Sequence, residues 1–591
     1  MAYNIESFYE GSLSPLEPTY GELFTGYRVP FSRIGAPTSI QTANQISEVS
    51  ARLSEGMRVV ELQPISLDVF ETIPKQHWKE TERLLKLTGA EATLHAPIID
   101  PSGFTEEGWN EIARRQAEEI LKMSLERAHE LNPKGNVPVT FHATAGAPST
   151  EAIKLMPNEM GDVIPAVNKD TGQLVYLRRE KKYVPEEAKE ILIDPEEQIR
   201  EHNKRRWKNL ISQIAWENSK AYEEISTSAP IVAPIYDELT KGKIKEEELL
   251  PEQRAALSAF EMGQALYEGI GSNIKAWFDE AMKVWPENVK KRKEIELIKK
   301  NLIEIDGKNL IENNPIEAAR KYDETLRLFK KVISENPPEV YVSTDKFALE
   351  KSKETIANAA LDAFKKFGNN APIISVENVF PGTVFGQAEK LKELIQKARE
   401  EFVNKAKKEG ISESKAKEAA QKLIGATWDV GHINLLRRYG FKEKEIVEET
   451  KKIAPFVKHV HLTDNFGFRD SHLPPGMGEV PFKEILKELE KAGFRGKEIV
   501  EAGGFVTQFK TSPTPYVLEA LGSPIYGMEM QPFWNQVRGS YGLPGIYYGG
   551  YGMMLPEQHF STYGAGFATL PMELGGSMPG KGQRFAGTPM E

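Results

Sequence analysis

Nine imidazole or carboxylate side chains stand at, or just beyond, the ends of six short apolar runs. They are His95 in TLHAP, His142 in TFHAT, Glu377 in ISVEN, Asp429 and His432 in ATWDVGH, His461 in HVHLTD, Asp470 and His472 in the loop that follows, and Glu501 in IVEAGG. Five of the ten histidines fall at these positions. Ionisable groups aimed into a protein interior are costly to desolvate unless they are paired or bound to metal. Imidazole nitrogen with carboxylate oxygen suits Zn2+, Mn2+, Fe2+ or Co2+ and does not select sharply among them. Nine ligands exceed the roughly four to six that one ion takes. Two or three ions, Zn2+ first, are therefore expected. Such a cluster clamps the attacking and leaving oxygens of a phosphoester and generates a hydroxide nucleophile. A single ion would use a smaller set, Glu377, Asp429, His461 and Glu501. Glu377 and Glu501 would then be the catalytic acid and base of an isomerase. His459 shares its face with His461 but lies deeper. It is expected to support the ligands, as are Asp464, Asn465 and Asn378, because ligating imidazoles need partners that orient them. His77, His129, His202 and His559 read as surface residues.

The elements that must position these groups follow from the same runs. RVVELQP (58–64), EATLHAP (91–97), VPVTFHATAG (137–146), PIISVEN (372–378), GATWDVGH (425–432), VKHVHLTD (457–464) and KEIVEAGG (497–504) read as strands, with TGYRVPFSRIGAP (25–37) as a weaker first one. Amphipathic stretches such as 105–131 and 481–494 lie between them. Eight alternations of strand and helix predict an α/β fold, a (β/α)8 TIM barrel. A doubly wound sheet is the alternative, weakened because no Gly-rich phosphate loop follows the first strand. One strand residue in two faces the barrel interior, so the nine groups converge on the C-terminal mouth, where barrel enzymes keep their sites.

The organisation predicted is 1–146 as the first half of the barrel, 147–345 as an inserted helical subdomain after the fourth strand, 346–504 as the second half, and 505–591 as a Gly-, Tyr- and Met-rich C-terminal extension. The insert reads as a lid or an assembly element. The extension is too poor in periodic apolar residues to form its own core. Insert and extension together are the expected route to a homo-oligomer.

Composition bounds the function further. The chain has 591 residues and no cysteine, which excludes disulfides, thiolate metal sites and a cysteine nucleophile. No apolar run reaches the ~18 residues of a membrane span, and the N-terminus shows no secretory signal. A cytoplasmic protein with no membrane partner is expected. The net charge of −10 argues against a surface built to grip polyanions. The insert does carry basic clusters, LRREKKY (177–183), NKRRWKN (203–209) and VKKRKE (289–294), interleaved with Glu.

At these motifs the sequence resembles the xylose isomerase-like TIM-barrel superfamily, which includes endonuclease IV (AP endonuclease family 2) and many sugar-phosphate isomerases and epimerases. The resemblance covers roughly residues 25–146 and 346–504. The ligands of the trinuclear zinc cluster of endonuclease IV run His, His, Glu, Asp, His, His, Asp, His, Glu. This chain carries that order in the nine residues above. The resemblance implies a polynuclear zinc site and a hydrolase acting on a phosphorylated small molecule or nucleic acid. The form HLTDN…DSHLPPGMGEVPF looks more like the loop of the isomerases and epimerases, which implies one Mn2+, Co2+ or Zn2+ ion and proton transfer. Phosphoester hydrolysis is expected first, isomerisation second, and a barrel reused for assembly third.

Overall fold

The computed structural model describes residues 32–55, 57–150, 163–184, 189–241 and 243–510, with isolated positions towards either end. The chain divides into two compact units, Met1–Gly161 with Thr344–Glu591, and Asp162–Ser343.

The first unit is built on eight strands: β1 (Ile34–Pro37), β2 (Val59–Leu62), β3 (Glu91–His95), β4 (Pro138–His142), β5 (Ile373–Glu377), β6 (Ile424–Asp429), β7 (Val457–Leu462) and β8 (Lys497–Val500). Each pairs in parallel with the next, and β1 pairs with β8, which closes the barrel. These are the eight strands predicted, so the fold class is as expected. The helix predicted over 105–131 begins later, at Glu111. A two-residue hairpin pairing (Phe104–Thr105 with Gly108–Trp109) occupies its expected start, and Asn110 caps the helix through the Ile112 N–H at 2.7 Å.

Alternation along the strands sets two polar layers inside the barrel. The lower holds Glu61, Thr93, Thr140, Ser375, Thr427 and His459, all buried. Thr140 and Thr427 share a 2.8 Å hydrogen bond, and Thr427 donates to Ser375 at 2.7 Å. Two residues further along the same strands come Gln63, His95, His142, Glu377, Asp429 and His461. The intervening side chains point outward and are sealed by helices. Trp428 is fully buried and donates its indole N–H to Thr450 at 3.0 Å. Phe402, from the helix Ala388–Lys408, is also fully buried and meets Phe364 edge-on at 6.0 Å. Burial of a Phe of this kind contributes about 2–3 kcal/mol.

The second unit is mostly helical, as expected, with short strands that the helical pattern did not reveal. It contains a three-stranded antiparallel sheet, Tyr341–Ser343, Val163–Asn168 and Leu174–Arg178, and a hairpin of Lys181–Val184 with Lys189–Leu192. The rest is helical. Pro195–Thr240 buries Trp207, Ile211, Ile214, Ala221, Ile225 and Val232, a three-and-four spacing that makes one apolar stripe. Pro251–Val284 packs on it antiparallel, since Arg206 pairs with Glu280 at 2.8 Å while Ile225 lies over Gly263. No described helix is long and apolar enough to cross a membrane. Beyond the short helix Gly503–Phe509, the predicted C-terminal extension lies almost wholly outside the described residues.

Candidate metal centre

All nine predicted residues come together, each within 4.0 Å of another member of the set. Glu377 stands at the hub. Its Oε2 lies 3.2 Å from His95 Nε2 and 3.5 Å from His142 Nε2. Its Oε1 lies 3.0 Å from His461 Nδ1 and 3.8 Å from His432 Nδ1. His461 Nδ1 also lies 3.5 Å from Glu501 Oε1. His432 Nε2 reaches Asp470 at 3.3 Å, and Asp470 meets His472 at 2.7 Å. His472 lies 4.0 Å from Glu501, which closes the ring of contacts.

The local backbone explains how these groups are aimed. Asp429 ends β6 and caps the turn Val430–Asn434 by accepting the His432 N–H at 2.8 Å. Gly431 leaves room for this turn, because a Cβ there would collide with the Thr463 hydroxyl that donates to Asp429. Asn378 holds the same corner. Its side chain bonds both the N–H and the C=O of Asp429, and its own carbonyl accepts from His432 Nδ1 at 2.8 Å. Asp464 is placed differently. It accepts the N–H groups of Asn465, Gly476, Gly478 and Val480, so it shapes the loop carrying Asp470 and His472 and touches no imidazole of the set. Asn465 bonds Gly431, Asn434 and Gly467 within that same corner. His472 adopts φ 45°, a left-handed conformation disfavoured for a non-glycine residue and typical of constrained functional loops. His77, His129 and His202, read as surface residues, are half-buried instead; His129 stacks on Phe367 with ring centroids 3.8 Å apart. His559 lies outside the described residues.

The carboxylates and imidazoles of the cluster shift one another strongly. Burial would raise the Glu377 carboxyl, but His461 and His95 outweigh it and hold it well below the usual carboxylate range. Burial, helped by nearby Glu377, raises Glu501 despite His461. Burial opposes protonation of His461 and His432, yet Glu501 and Glu377 around the first, and Asp429 and Asp470 around the second, raise both well above the ordinary value. His142 is pushed down to about 4 by burial. Two carboxylate oxygens, Asp429 Oδ2 and Asp470 Oδ1, are buried with no hydrogen-bond donor. Orphaned buried anionic oxygens are expensive, and a divalent cation fits them. Donor atoms of Asp429, His461 and Glu501 lie within 4.8 Å of one another, as do those of Glu377, Asp429 and His432, of His95, His142 and Glu377, and of His432, Asp470 and His472.

The centre opens into a cavity of about 630 Å3 lined by His95, His142, Glu377, His432, Asp470, His472 and Glu501, with Phe380, Gln41, Glu48, Arg52 and Gln63 beside them. Among the described residues of this lining Arg52 is the one Lys or Arg, and Glu55 already takes it through both oxygens at 3.0 and 2.7 Å. Two residues of the centre escaped the sequence reading. Glu61 is buried beneath His461, and Gln63 donates to both Glu61 and Glu501. Their signal is the ELQ of β2, which repeats the polar, apolar, polar step of TLH, TFH, SVE, TWD and HVH.

A family model agrees with this architecture. Residues 318–505 match the model of a family described as xylose isomerase-like TIM barrel, as the resemblance implied. An uncharacterized protein of Methanocaldococcus jannaschii is 35% identical over 85 residues, 14% of this chain and 28% of its own. Fructoselysine 3-epimerase of Shigella flexneri is 31% identical over 70 residues, 12% of this chain and 24% of its own. The chain thus spans about a quarter of the length of these curated relatives. A crystal structure of a D-tagatose 3-epimerase-like protein superposes with TM-score 0.36 and 13% identity, over 83% of this chain and 98% of that one.

Proposed function

Taking the xylose isomerase-like match as premise, we propose that the chain is a divalent-metal-dependent isomerase or epimerase of an uncharged hydroxy-carbonyl sugar. The observation that carries this is the cavity itself. Two carboxylates from separate strands, Glu377 and Glu501, reach the same His461 nitrogen, at 3.0 and 3.5 Å. The one cation in the described lining is already neutralised by Glu55. A phosphate would enter beside Glu48, Glu377, Asp470 and Glu501 with no free Arg or Lys among the described residues of the lining to meet it. A neutral polyhydroxy ketone meets no such penalty, and the hydroxyl- and amide-bearing Thr38, Ser39, Gln41 and Gln63 suit it.

Glu377, Asp429, His461 and Glu501 would hold the ion. A bound divalent ion supplies Lewis-acid polarisation of the carbonyl oxygen. One of Glu377 and Glu501 then takes the proton from the carbon beside the carbonyl, and the other returns a proton to the opposite face. No atoms are gained or lost, and the stereocentre inverts. The name of the Shigella flexneri relative describes chemistry of this kind. Residues 147–345 would serve specificity or assembly.

Hydrolysis is the second reading, favoured by the four overlapping donor groups, which offer room for more than one ion. One experiment separates the two. The full chain, loaded with Mn2+, Co2+ or Zn2+, is incubated in D2O with neutral ketohexoses, and in parallel with bis(p-nitrophenyl) phosphate. Deuterium entering the ketose carbon next to the carbonyl is the expected result. Nitrophenol release without exchange would reverse the order.

A further inference from the structure

Beneath the proposed ligands lies a buried polar chain that the catalytic reading leaves unused. Glu61, in the middle of β2, is fully buried. Its Oε2 accepts from Thr93 Oγ1 at 2.7 Å and lies 2.8 Å from His459 Nε2. Its Oε1 accepts from Gln63 Nε2 at 3.1 Å and lies 3.1 Å from His461 Nε2. A carboxylate offers about four acceptor positions; Thr93 and Gln63 donate to one on each oxygen, His459 Nε2 lies at hydrogen-bond distance from Oε2, and His461 Nε2 stands close to Oε1 without a hydrogen bond. Glu61, His459 and His461 do cluster closely enough to suggest a second metal site. Each Glu61 oxygen already accepts a hydrogen bond, from Thr93 or Gln63, which favours a partner of the imidazoles over a further ligand.

We propose that Glu61 is a positioning residue, which fixes the imidazole of His461 so that Nδ1 faces the ion. The inference rests on the reading of the centre as a metal site. His461 offers two nitrogens. Nδ1 lies 3.0 Å from Glu377, among the proposed ligands. Nε2 is buried without a hydrogen bond among the described residues, and it lies 3.1 Å from Glu61 Oε1. An imidazole that keeps its proton on the nitrogen facing a carboxylate presents the other lone pair to a metal, and such partners raise ligand basicity. Thr93 and His459 in turn hold Glu61. His459 therefore acts two steps from the ion, through Glu61, which accounts for the paired histidines of HVH.

The test is equilibrium dialysis of the full-length protein with Zn2+ and with Co2+, with visible spectra of the Co2+ form. Glu61→Gln keeps the shape and removes the charge. Its affinity should fall about 10–100-fold, the usual effect of losing such a partner, and its Co2+ bands should shift, with circular dichroism unchanged. Thr93→Val should lose affinity in the same direction by less, and it decides the matter if Glu61→Gln fails to fold. A purely structural Glu61 would leave affinity within twofold and the bands in place in any folded variant, which overturns the proposal. Wild-type protein that binds neither ion would overturn the metal reading as well. Normal binding by wild type and folded variants alike would overturn only the role of Glu61.

Discussion

Arg205 and Glu180 in the inserted unit meet at 2.8 Å with side chains 53% and 45% exposed. At the barrel mouth Glu377 is 1% exposed and faces four imidazoles. Both regions are dense in charge, but the charge is handled in opposite ways. Several cations of the insert's basic clusters are answered locally: Lys204 by Glu201 at 3.2 Å, Arg206 by Glu280 at 2.8 Å, Lys290 by Glu287 at 3.1 Å. Exposed pairs of this sort are worth about 0–1 kcal/mol each, and clusters so neutralised are poor grips for a polyanion. The mouth instead concentrates four carboxylates and five imidazoles, most of them buried; removing one partner of a buried pair typically costs about 3–5 kcal/mol. Charge density alone therefore does not mark a site; charge that is buried and still lacks partners does.

The contrast is broken or sharpened most by Glu377→Gln. It should lower the exchange rate about 10²–10⁴-fold, the range for losing an acid–base group, and reduce bound metal in elemental analysis. Next comes metal removal. If free metal stands at 100 times Kd, chelation should remove about 2.7 kcal/mol of stability, read as a lower unfolding temperature in calorimetry that returns when metal is restored.

A smaller effect concerns pH. In chelated protein His472 is raised to about 9; burial opposes this, but Asp470 outweighs it. A raised imidazole contributes stability that is complete below its unfolded value of about 6.5 and lost as pH rises through about 9. With His472 32% exposed, the loss should be about 1–2 kcal/mol between those limits, and Asp470→Asn should flatten the slope in urea titrations. Least of all, Arg205→Ala and Arg292→Ala in the insert should each change stability by under about 1 kcal/mol and leave turnover unchanged. A large loss at either would place function in the insert.

The barrel was legible because its strands end in groups that apolar strands otherwise exclude, such as His95 after ATL and Glu377 after ISV. The nine candidate residues stood out for the same reason, and the structure gathers them around Glu377. Glu61 was hidden because it sits inside VVEL, one step below the strand end, where its partners Thr93 and His459 come from strands 32 and 398 residues away in sequence. Asp464 read as a partner of the imidazoles because it lies between His461 and Asp470 in sequence; its four backbone donors are set by a loop fold that spacing does not reveal. The sheet of the insert was missed because Val163–Asn168 pairs with Tyr341–Ser343, which lies across the whole helical segment.

The central claim is that the buried cluster at the mouth holds a divalent ion. Anomalous diffraction at the zinc, cobalt and manganese edges tests it most directly, on crystals of the full chain grown without chelator and supplied with each metal. An anomalous peak bounded by Glu377, Asp429, His461 and Glu501, with His461 contributing Nδ1, is the expected result. Metal-supplied crystals with no peak at these residues, and water or a lysine against Asp429 Oδ2 in its place, would contradict it.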